Sequence, residues 1–143
     1  MTIEKEVFEF QVRNFAQAGD WKQVDEICSK NIHHLSIKET SYWIRAKYLT
    51  EEFESCIKIC ENELIKQSDN LIALRFLCRS KTKLGYEPDI LISDWKELLR
   101  QEPENLEAMN NIARALHRMG NREEAMEILK TNSITKFLKP LKS

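Results

Sequence analysis

The sequence predicts an all-α protein, a right-handed α-solenoid of four helix-turn-helix units with a short C-terminal cap. The composition favours helices over a strand-and-turn fold, because the 143 residues include only three glycines and three prolines. Apolar residues recur at three- and four-residue spacing, which is typical of an amphipathic helix, as in Met109, Ile112, Ala113 and Leu116. This pattern returns along the chain at intervals of about 34 residues, which indicates an internal repeat.

The repeat is anchored on four predicted turns, each of which ends one helix and precedes the next. Gly19, Gly85 and Gly120 each follow an apolar stripe, at the place where a left-handed stop is easiest for glycine. Glu51 stands at the equivalent place in the second copy. The predicted first helices, called A helices, span about 5–18, 37–50, 71–84 and 105–119. The predicted second helices, called B helices, span about 20–33, 52–66, 89–102 and 121–132.

Two prolines support these boundaries. Pro88 stands near the first turn of the third B helix, where a missing N–H has no cost. Pro103 follows the same helix and ends it. No linker or second domain is evident, so we expect one domain over residues 1–143, with repeats at about 5–36, 37–70, 71–105 and 106–132 and a tail at 133–143.

The residues in these positions resemble the tetratricopeptide repeat family. Its 34-residue unit carries apolar residues at fixed packing positions, which the last copy fills with Met109, Ile112, Ala113, Leu116, Gly120, Ala125 and Leu129. Lys47 and Lys81 depart from the pattern, since both occupy a position that is aromatic in the family. The resemblance implies a helical-repeat fold and a binding surface lined by the A helices. It does not imply a particular partner, because packing positions define the family.

From the composition and the motifs we do not expect a nucleic-acid-binding protein, a membrane protein or an enzyme. The formal net charge of −1 predicts no overall attraction to nucleic acid or to anionic lipid. No apolar run approaches the ~20 residues that span a bilayer, and the first residues lack the pattern of a signal peptide, so we expect a cytoplasmic protein without a membrane partner. The phosphate-binding, nucleophile-elbow and zinc-protease motifs are absent, so we predict neither catalysis nor a cofactor.

The four cysteines are interpreted as packing residues. Cys56 and Cys60 are four residues apart on one predicted helix, a spacing that also suits a pair of metal ligands. All four nevertheless fall on apolar positions of the repeat, where a free cysteine acts as a small hydrophobe. Zinc sites require about four ligands at defined spacing, and His33 and His34 beside Cys28 do not complete such a set. We therefore expect reduced, buried thiols and no bound metal.

The candidate binding site is a ladder of arginines, one in each repeat, six residues before each turn. In the resembled family this position lies on the concave face. Like charges four residues apart reinforce the ladder on the third and fourth A helices, at a cost of about 0.2–0.5 kcal/mol per pair to helix stability. The A helices are together net positive and the B helices net negative. The full candidate set comprises Arg13, Arg45, Arg79 and Arg114, with Arg75, Lys83, Arg118, Asn110, Asn111 and Tyr48 beside them.

These residues predict a protein–protein interaction module that binds an acidic or extended peptide segment of a partner in a basic concave groove. A structural interpretation stays open, in which the arginines pair with carboxylates of the next repeat. RNA binding is a second alternative, although only Tyr42, Tyr48 and Phe76 offer rings for stacking, and nucleic acid is not the expected partner. Two others are a self-associating scaffold and an accessory domain of a larger enzyme.

The tail predicts an incomplete cap. Phe137, Leu138 and Leu141 could cover the last B helix, but Pro140 would interrupt a helix there. Apolar surface left open near Ile128 would allow a homo-oligomer through the C-terminal end.

Overall fold

The computed structural model describes residues 2–131, and within this range every regular element is helical. The predicted tail at 133–143, with its cap, lies outside the described residues. The helices are α1 (Thr2–Gln17), α2 (Trp21–Lys30), α3 (Ile37–Leu49), α4 (Phe53–Lys66), α5 (Leu71–Lys83), α6 (Pro88–Gln101) and α7 (Leu106–Arg118), followed by helical residues 122–131, here called α8. Among these described helices, none is both long and apolar enough to cross a membrane.

The helices follow the predicted alternation of A and B helices closely. Two boundaries differ by about three residues: α1 begins at Thr2 instead of about residue 5, and α2 ends at Lys30 instead of about residue 33. There the Asn31 N–H bonds to the Cys28 carbonyl, and residues Ile32–His34 form a 3₁₀ turn that leads into α3. The N-terminus of α3 is fixed by a capping box, in which Ser36 and Glu39 each bond the backbone of the other.

All four predicted turns have the same backbone structure. Gly19, Glu51, Gly85 and Gly120 adopt φ values of 75°, 63°, 72° and 85°. After each of them, the next residue donates its N–H to a carbonyl five residues back, as in Glu52 to Lys47 at 2.8 Å and Asn121 to Leu116 at 2.9 Å. This is the Schellman ending of a helix, which gives partners to carbonyls that the helix leaves unpaired. The repeat predicted from sequence is therefore present in the backbone, including at the one copy that lacks glycine.

The chain divides into two compact units, residues 1–80 and 81–143. In the first unit, α3 packs against both α1 and α2. Its side chains close a core made of Phe8, Val12, Ala16, Val24, Cys28, Trp43 and Ala46. Burying one such large apolar side chain contributes about 1.5–3 kcal/mol to stability, so this core is the main reason why the three helices stay together.

In the second unit, α6 packs against α7. The indole of Trp95 is buried and donates its Nε1–H to the Thr82 hydroxyl at 2.9 Å. The remaining core is formed by the apolar stripes of α6, α7 and α8: Leu91, Leu98, Ala108, Met109, Ile112, Ala113, Ala115, Leu116 and Ala125. Leu98, Met109, Ile112, Ala113, Leu116 and Ala125 are packing positions that the repeat pattern predicted, whereas Leu129, predicted as another, is 41% exposed.

Candidate functional site: a basic groove between the last two described helices

Two of the predicted arginines, Arg13 on α1 and Arg45 on α3, are exposed in the first unit. Neither forms an ion pair with a carboxylate among the described residues. Their helices pack against one another, so the first unit presents both cations on packed A helices. This leaves the interpretation of these two residues as binding groups open, and the structural alternative does not account for them.

Arg75 and Arg79 on α5 behave differently. Both are partly buried, and both interact with other groups of the protein. The Arg79 guanidinium carbon lies 5.1 Å from the centre of the Phe76 ring, within the range of a cation–π contact. Both arginines are therefore engaged within the protein, Arg79 with a ring of its own helix.

Tyr48 is half-buried and packs its ring edge-on against two others. Its ring centre lies 5.4 Å from that of Phe53 and 5.3 Å from that of Phe76. Such T-shaped pairs add about 0.5–1.5 kcal/mol beyond the area they bury. Tyr42 is likewise half-buried against the first core. The three rings considered for base stacking are thus used in packing.

Lys83 and Arg118 lie at the C-terminal ends of α5 and α7 and are exposed. Asn111 is half-buried and donates its side-chain N–H to the Glu107 carbonyl of its own helix at 2.8 Å. Asn110 is exposed and has a polar interaction within the protein. Of these four candidates, Asn110 faces the cavity that holds Arg114.

That cavity is a groove of about 470 Å³ in the second unit, between α7 and α8. Its volume falls within the range of ordinary ligand pockets. It is lined by Asn110, Ala113, Arg114 and His117 from α7, and by Arg122, Ala125, Met126 and Leu129 from α8. The lining combines an apolar floor with two arginines and an imidazole, and it contains no carboxylate. We call it the terminal groove.

Arg114 and Arg122 of the terminal groove are both exposed. Among the residues that the structure describes, no carboxylate pairs with Arg114 or Arg122. Among the carboxylates of α8, Glu124 lies 3.5 Å from Lys96 of α6. The groove is therefore a cationic site, and a guanidinium can bind a carboxylate with two parallel hydrogen bonds there.

Sequence reasoning found Arg114 and Asn110 but missed His117, Arg122 and Met126 as site residues. The signal was present in the spacing, because the lining residues on each helix recur at i, i+3, i+4 and i+7. The repeat pattern predicts Ala125 and Leu129 as packing residues and makes no prediction for His117, Arg122 or Met126. Position in the pattern alone could not show that the described part of the chain leaves them uncovered.

Lys47 and Lys81, which stand at the repeat position that is aromatic in the family, both form ion pairs. Lys47 lies 2.9 Å from Asp25 and 3.3 Å from Glu52, with only 12% of its side chain exposed. Lys81, whose side chain is equally buried, lies 2.9 Å from Asp94. Burial disfavours the ionised form of Asp25, but hydrogen bonds from Trp43 and Lys47 outweigh it and hold the pKa of Asp25 below its ordinary value. The structural interpretation concerned arginines and carboxylates of the next repeat. These pairs instead join lysines to a B-helix carboxylate of the preceding repeat, Asp25, and of the same repeat, Asp94.

All four cysteines are free and buried, as predicted. Burial raises the pKa of the Cys28 thiol to about 12. The hydrogen bond with Cys56 and burial both raise the pKa of Cys60. Within residues 4–131 no group of three metal-ligating side chains comes together.

The paired amphipathic helices, the repeated turns and the open groove define an α-helical repeat protein. Residues 94–131 match the family model of the tetratricopeptide repeat. Among curated protein sequences, none matches the chain.

The fold is shared with solved structures of MamA. One crystal structure of MamA superposes with a TM-score of 0.83 at 18% identity, covering 97% of this chain and 81% of that chain. A second has a TM-score of 0.81 at 17% identity and covers 95% and 75% of the two chains. MamA from Desulfovibrio magneticus RS-1 has a TM-score of 0.75 at 11% identity, over 92% and 75% of the two chains. At these identities the likeness concerns the fold alone.

The match over residues 94–131 confirms the predicted resemblance, and the shared fold confirms the predicted all-α class of helical repeats. A fold of this class supports a protein–protein interaction module in general terms. The cytoplasmic location, the single domain and the absence of catalysis stay predictions.

Proposed function

We propose that this protein is an interaction module that binds an acidic segment of a partner protein between its last A helix, α7, and the B helix α8. The observation that carries the proposal is the terminal groove, where Arg114 and Arg122 flank an apolar floor without a carboxylate among its lining residues. Carboxylates of the partner would accept hydrogen bonds from these guanidiniums, and apolar side chains of the same segment would lie on Ala113 and Leu129. The exposed cations Arg13 and Arg45 extend the same chemistry to the first unit.

Two features favour a protein over RNA as the partner. The stacking rings considered for RNA are used in packing, and sequence-tolerant RNA binding depends on such rings for about 1–3 kcal/mol per base. In addition, four of the eight lining residues are apolar: Ala113, Ala125, Met126 and Leu129. An apolar floor suits the side chains of a partner protein better than it suits a phosphate backbone.

The proposal is tested by selecting binders from a library of displayed random 12-residue peptides against the intact, immobilised protein. We expect the selected peptides to be enriched in Asp and Glu together with apolar residues. Their affinity, measured by fluorescence anisotropy, should fall about tenfold or more in Arg114→Ala and in Arg122→Ala, since a hydrogen bond to a charged group contributes about 1.5–3 kcal/mol.

A matched control is available in the same unit. Arg100 is exposed but pairs with Glu97 of its own helix at 2.6 Å, so Arg100→Ala should leave peptide affinity unchanged. Selected peptides that are neutral or basic, or equal losses in all three variants, would overturn the proposal. Tight binding of a single-stranded RNA oligonucleotide that displaces the acidic peptides would assign the cationic face to nucleic acid instead.

A further inference from the structure

The terminal groove has a definite place in the repeat. Its lining residues form one stripe on α7 and one on α8, each at i, i+3, i+4 and i+7. The corresponding stripes in the first repeat lie on α1 and α2, because the turn at Gly19 corresponds to the turn at Gly120. Two grooves of the same construction can therefore be compared within one chain, each inside its own unit.

In the first repeat this groove is filled by a helix. Val12, Ala16, Val24 and Cys28 stand where Ala113, His117, Ala125 and Leu129 stand in the last repeat, and all four are buried in the core that α3 closes. The next A helix of the array is what covers the groove, since α3 packs against both α1 and α2.

The contacts of α3 show what this kind of groove holds. Trp43 and Ala46 lie against the apolar floor, one helical turn apart. The Trp43 indole donates to Asp25 at 2.9 Å, and Lys47 lies 2.9 Å from the same carboxylate. The occupant is thus an amphipathic helix that carries a large ring, a small residue and a charge complementary to the groove wall.

In the last repeat the same floor is open over the residues that the structure describes. Leu129 is 41% exposed and Met126 is 58% exposed, whereas Cys28 at the position of Leu129 is completely buried. The charge has also changed, since His117 stands at the position of Ala16, Arg122 at that of Trp21 and Met126 at that of Asp25. The groove has thus lost its carboxylate and gained cationic or imidazole groups.

This change in charge determines which helix fits. A helix with a lysine at the position of Lys47 would bring that lysine against Met126 and two arginines in the terminal groove. The chain's own residues 133–143 contain Lys136, Lys139 and Lys142 and no acidic residue, so their charge does not match the groove. An acidic helix from another protein matches both the apolar floor and the guanidiniums.

We propose that the terminal groove receives an amphipathic, acidic α-helix of a partner protein, in the position that a further A helix would occupy. This inference rests on the proposed function and adds the conformation of the bound segment. It is a helix-in-groove interaction, in which side chains at i, i+3, i+4 and i+7 of the partner supply the contacts.

The test uses three fluorescein-labelled synthetic peptides of 13 residues with the intact protein. The glutamate peptide has the apolar stripe of α3 and glutamate at the flanking positions. The lysine peptide has lysine at those positions, and the proline peptide is the glutamate peptide with a central proline that breaks a helix. We expect the glutamate peptide to bind and to gain helical circular dichroism, and the lysine and proline peptides to bind at least tenfold more weakly.

A pair of protein variants locates the binding. Leu129→Ala should weaken binding of the glutamate peptide about fivefold or more, because it removes part of the groove floor. Ile65→Ala is the matched control, since Ile65 is an isoleucine that is 84% exposed in the other unit, and it should change nothing. Thermal melts of both variants check that they are folded.

The outcomes separate the two proposals. Two outcomes would overturn the helical occupant and leave the proposed function standing. In the first, the glutamate and proline peptides bind equally well. In the second, the glutamate peptide does not bind while acidic library peptides do. If no acidic peptide of either kind binds, both proposals fail. Binding that appears only after residues 133–143 are deleted would assign the groove to the chain's own tail. A dimer in light scattering that Leu129→Ala dissociates would assign it to a second copy.

Discussion

The first and the last helix pair of this protein are built on one plan and end in different surroundings. Both have a Schellman turn at a glycine and apolar stripes at the same positions. In the first pair the groove between the helices is covered by α3, and in the last pair it is open over the described residues. The difference shows that a repeat position specifies where a side chain points, while the neighbouring helix decides whether that side chain becomes core or binding surface.

The comparison also separates two kinds of cation on the A helices. Lys47 and Lys81 are largely buried and each meets a carboxylate of a B helix at 2.9 Å. Arg13, Arg45 and Arg114 are exposed and form no ion pair with the described carboxylates. The net positive charge of the A helices therefore has a structural part and a part that is available for binding.

The largest expected effect comes from exchanging equivalent residues between the two grooves. Ala16→His places a larger polar side chain where α3 leaves no space, so the free energy of unfolding should fall by about 3 kcal/mol. His117→Ala makes the reverse change at an exposed position and should alter stability by less than about 0.5 kcal/mol. Urea denaturation of the two variants measures both, and equal effects would mean that the terminal groove is covered.

A smaller effect is expected at the position of Asp25 and Met126. Asp25→Ala leaves the Trp43 indole without its acceptor and removes one partner of Lys47, which should cost about 2 kcal/mol. Met126→Ala, at an exposed site, should cost less than about 0.5 kcal/mol.

The same aspartate predicts a dependence on pH. Because the pKa of Asp25 is lower in the folded protein, its stabilisation is present above its ordinary pKa and is lost as the pH falls through the lowered value. The difference in stability between the original protein and Asp25→Ala should therefore shrink below about pH 4. Thermal melts across that range check it, and a constant difference would contradict the assigned role of the carboxylate.

The smallest expected effect concerns the turn that both pairs share. Glu51 adopts a left-handed conformation with φ of 63°, so Glu51→Gly should stabilise the protein by about 0.5 kcal/mol. Gly85→Ala should lower the free energy of unfolding by about 1 kcal/mol, because alanine disfavours a φ of 72°. A steric clash adds nothing to this cost, since a Cβ there would meet no other atom within 4 Å. A loss of stability in Glu51→Gly would show that its side chain contributes more than its backbone conformation costs.

Much of the fold could be predicted because it depends on local chemistry. The spacing of apolar residues gave the helices to within a few residues, and the glycines located three of the four turns. Glu51 was found only by the period of the repeat, since a glutamate does not favour a left-handed conformation. The buried cysteines followed from their register with the packing positions.

The candidate site was predicted less completely. Arg114 and Asn110 line the terminal groove, while Tyr48 packs against two rings and Arg79 against one. The sequence places all of them on A helices but cannot show which of them a neighbouring side chain engages. Lys47 illustrates this limit, because its partner Asp25 lies 22 residues earlier and meets it only once α3 has packed on α2.

By itself, the sequence determined the class of fold, the phase of the repeat, the turns and the face on which each side chain lies, because helix periodicity and backbone preferences are properties of short segments. Only the tertiary structure decided which grooves are filled and which cations are paired. Those outcomes depend on whether another helix packs on a given face, and that is a property of the assembled chain rather than of any one repeat.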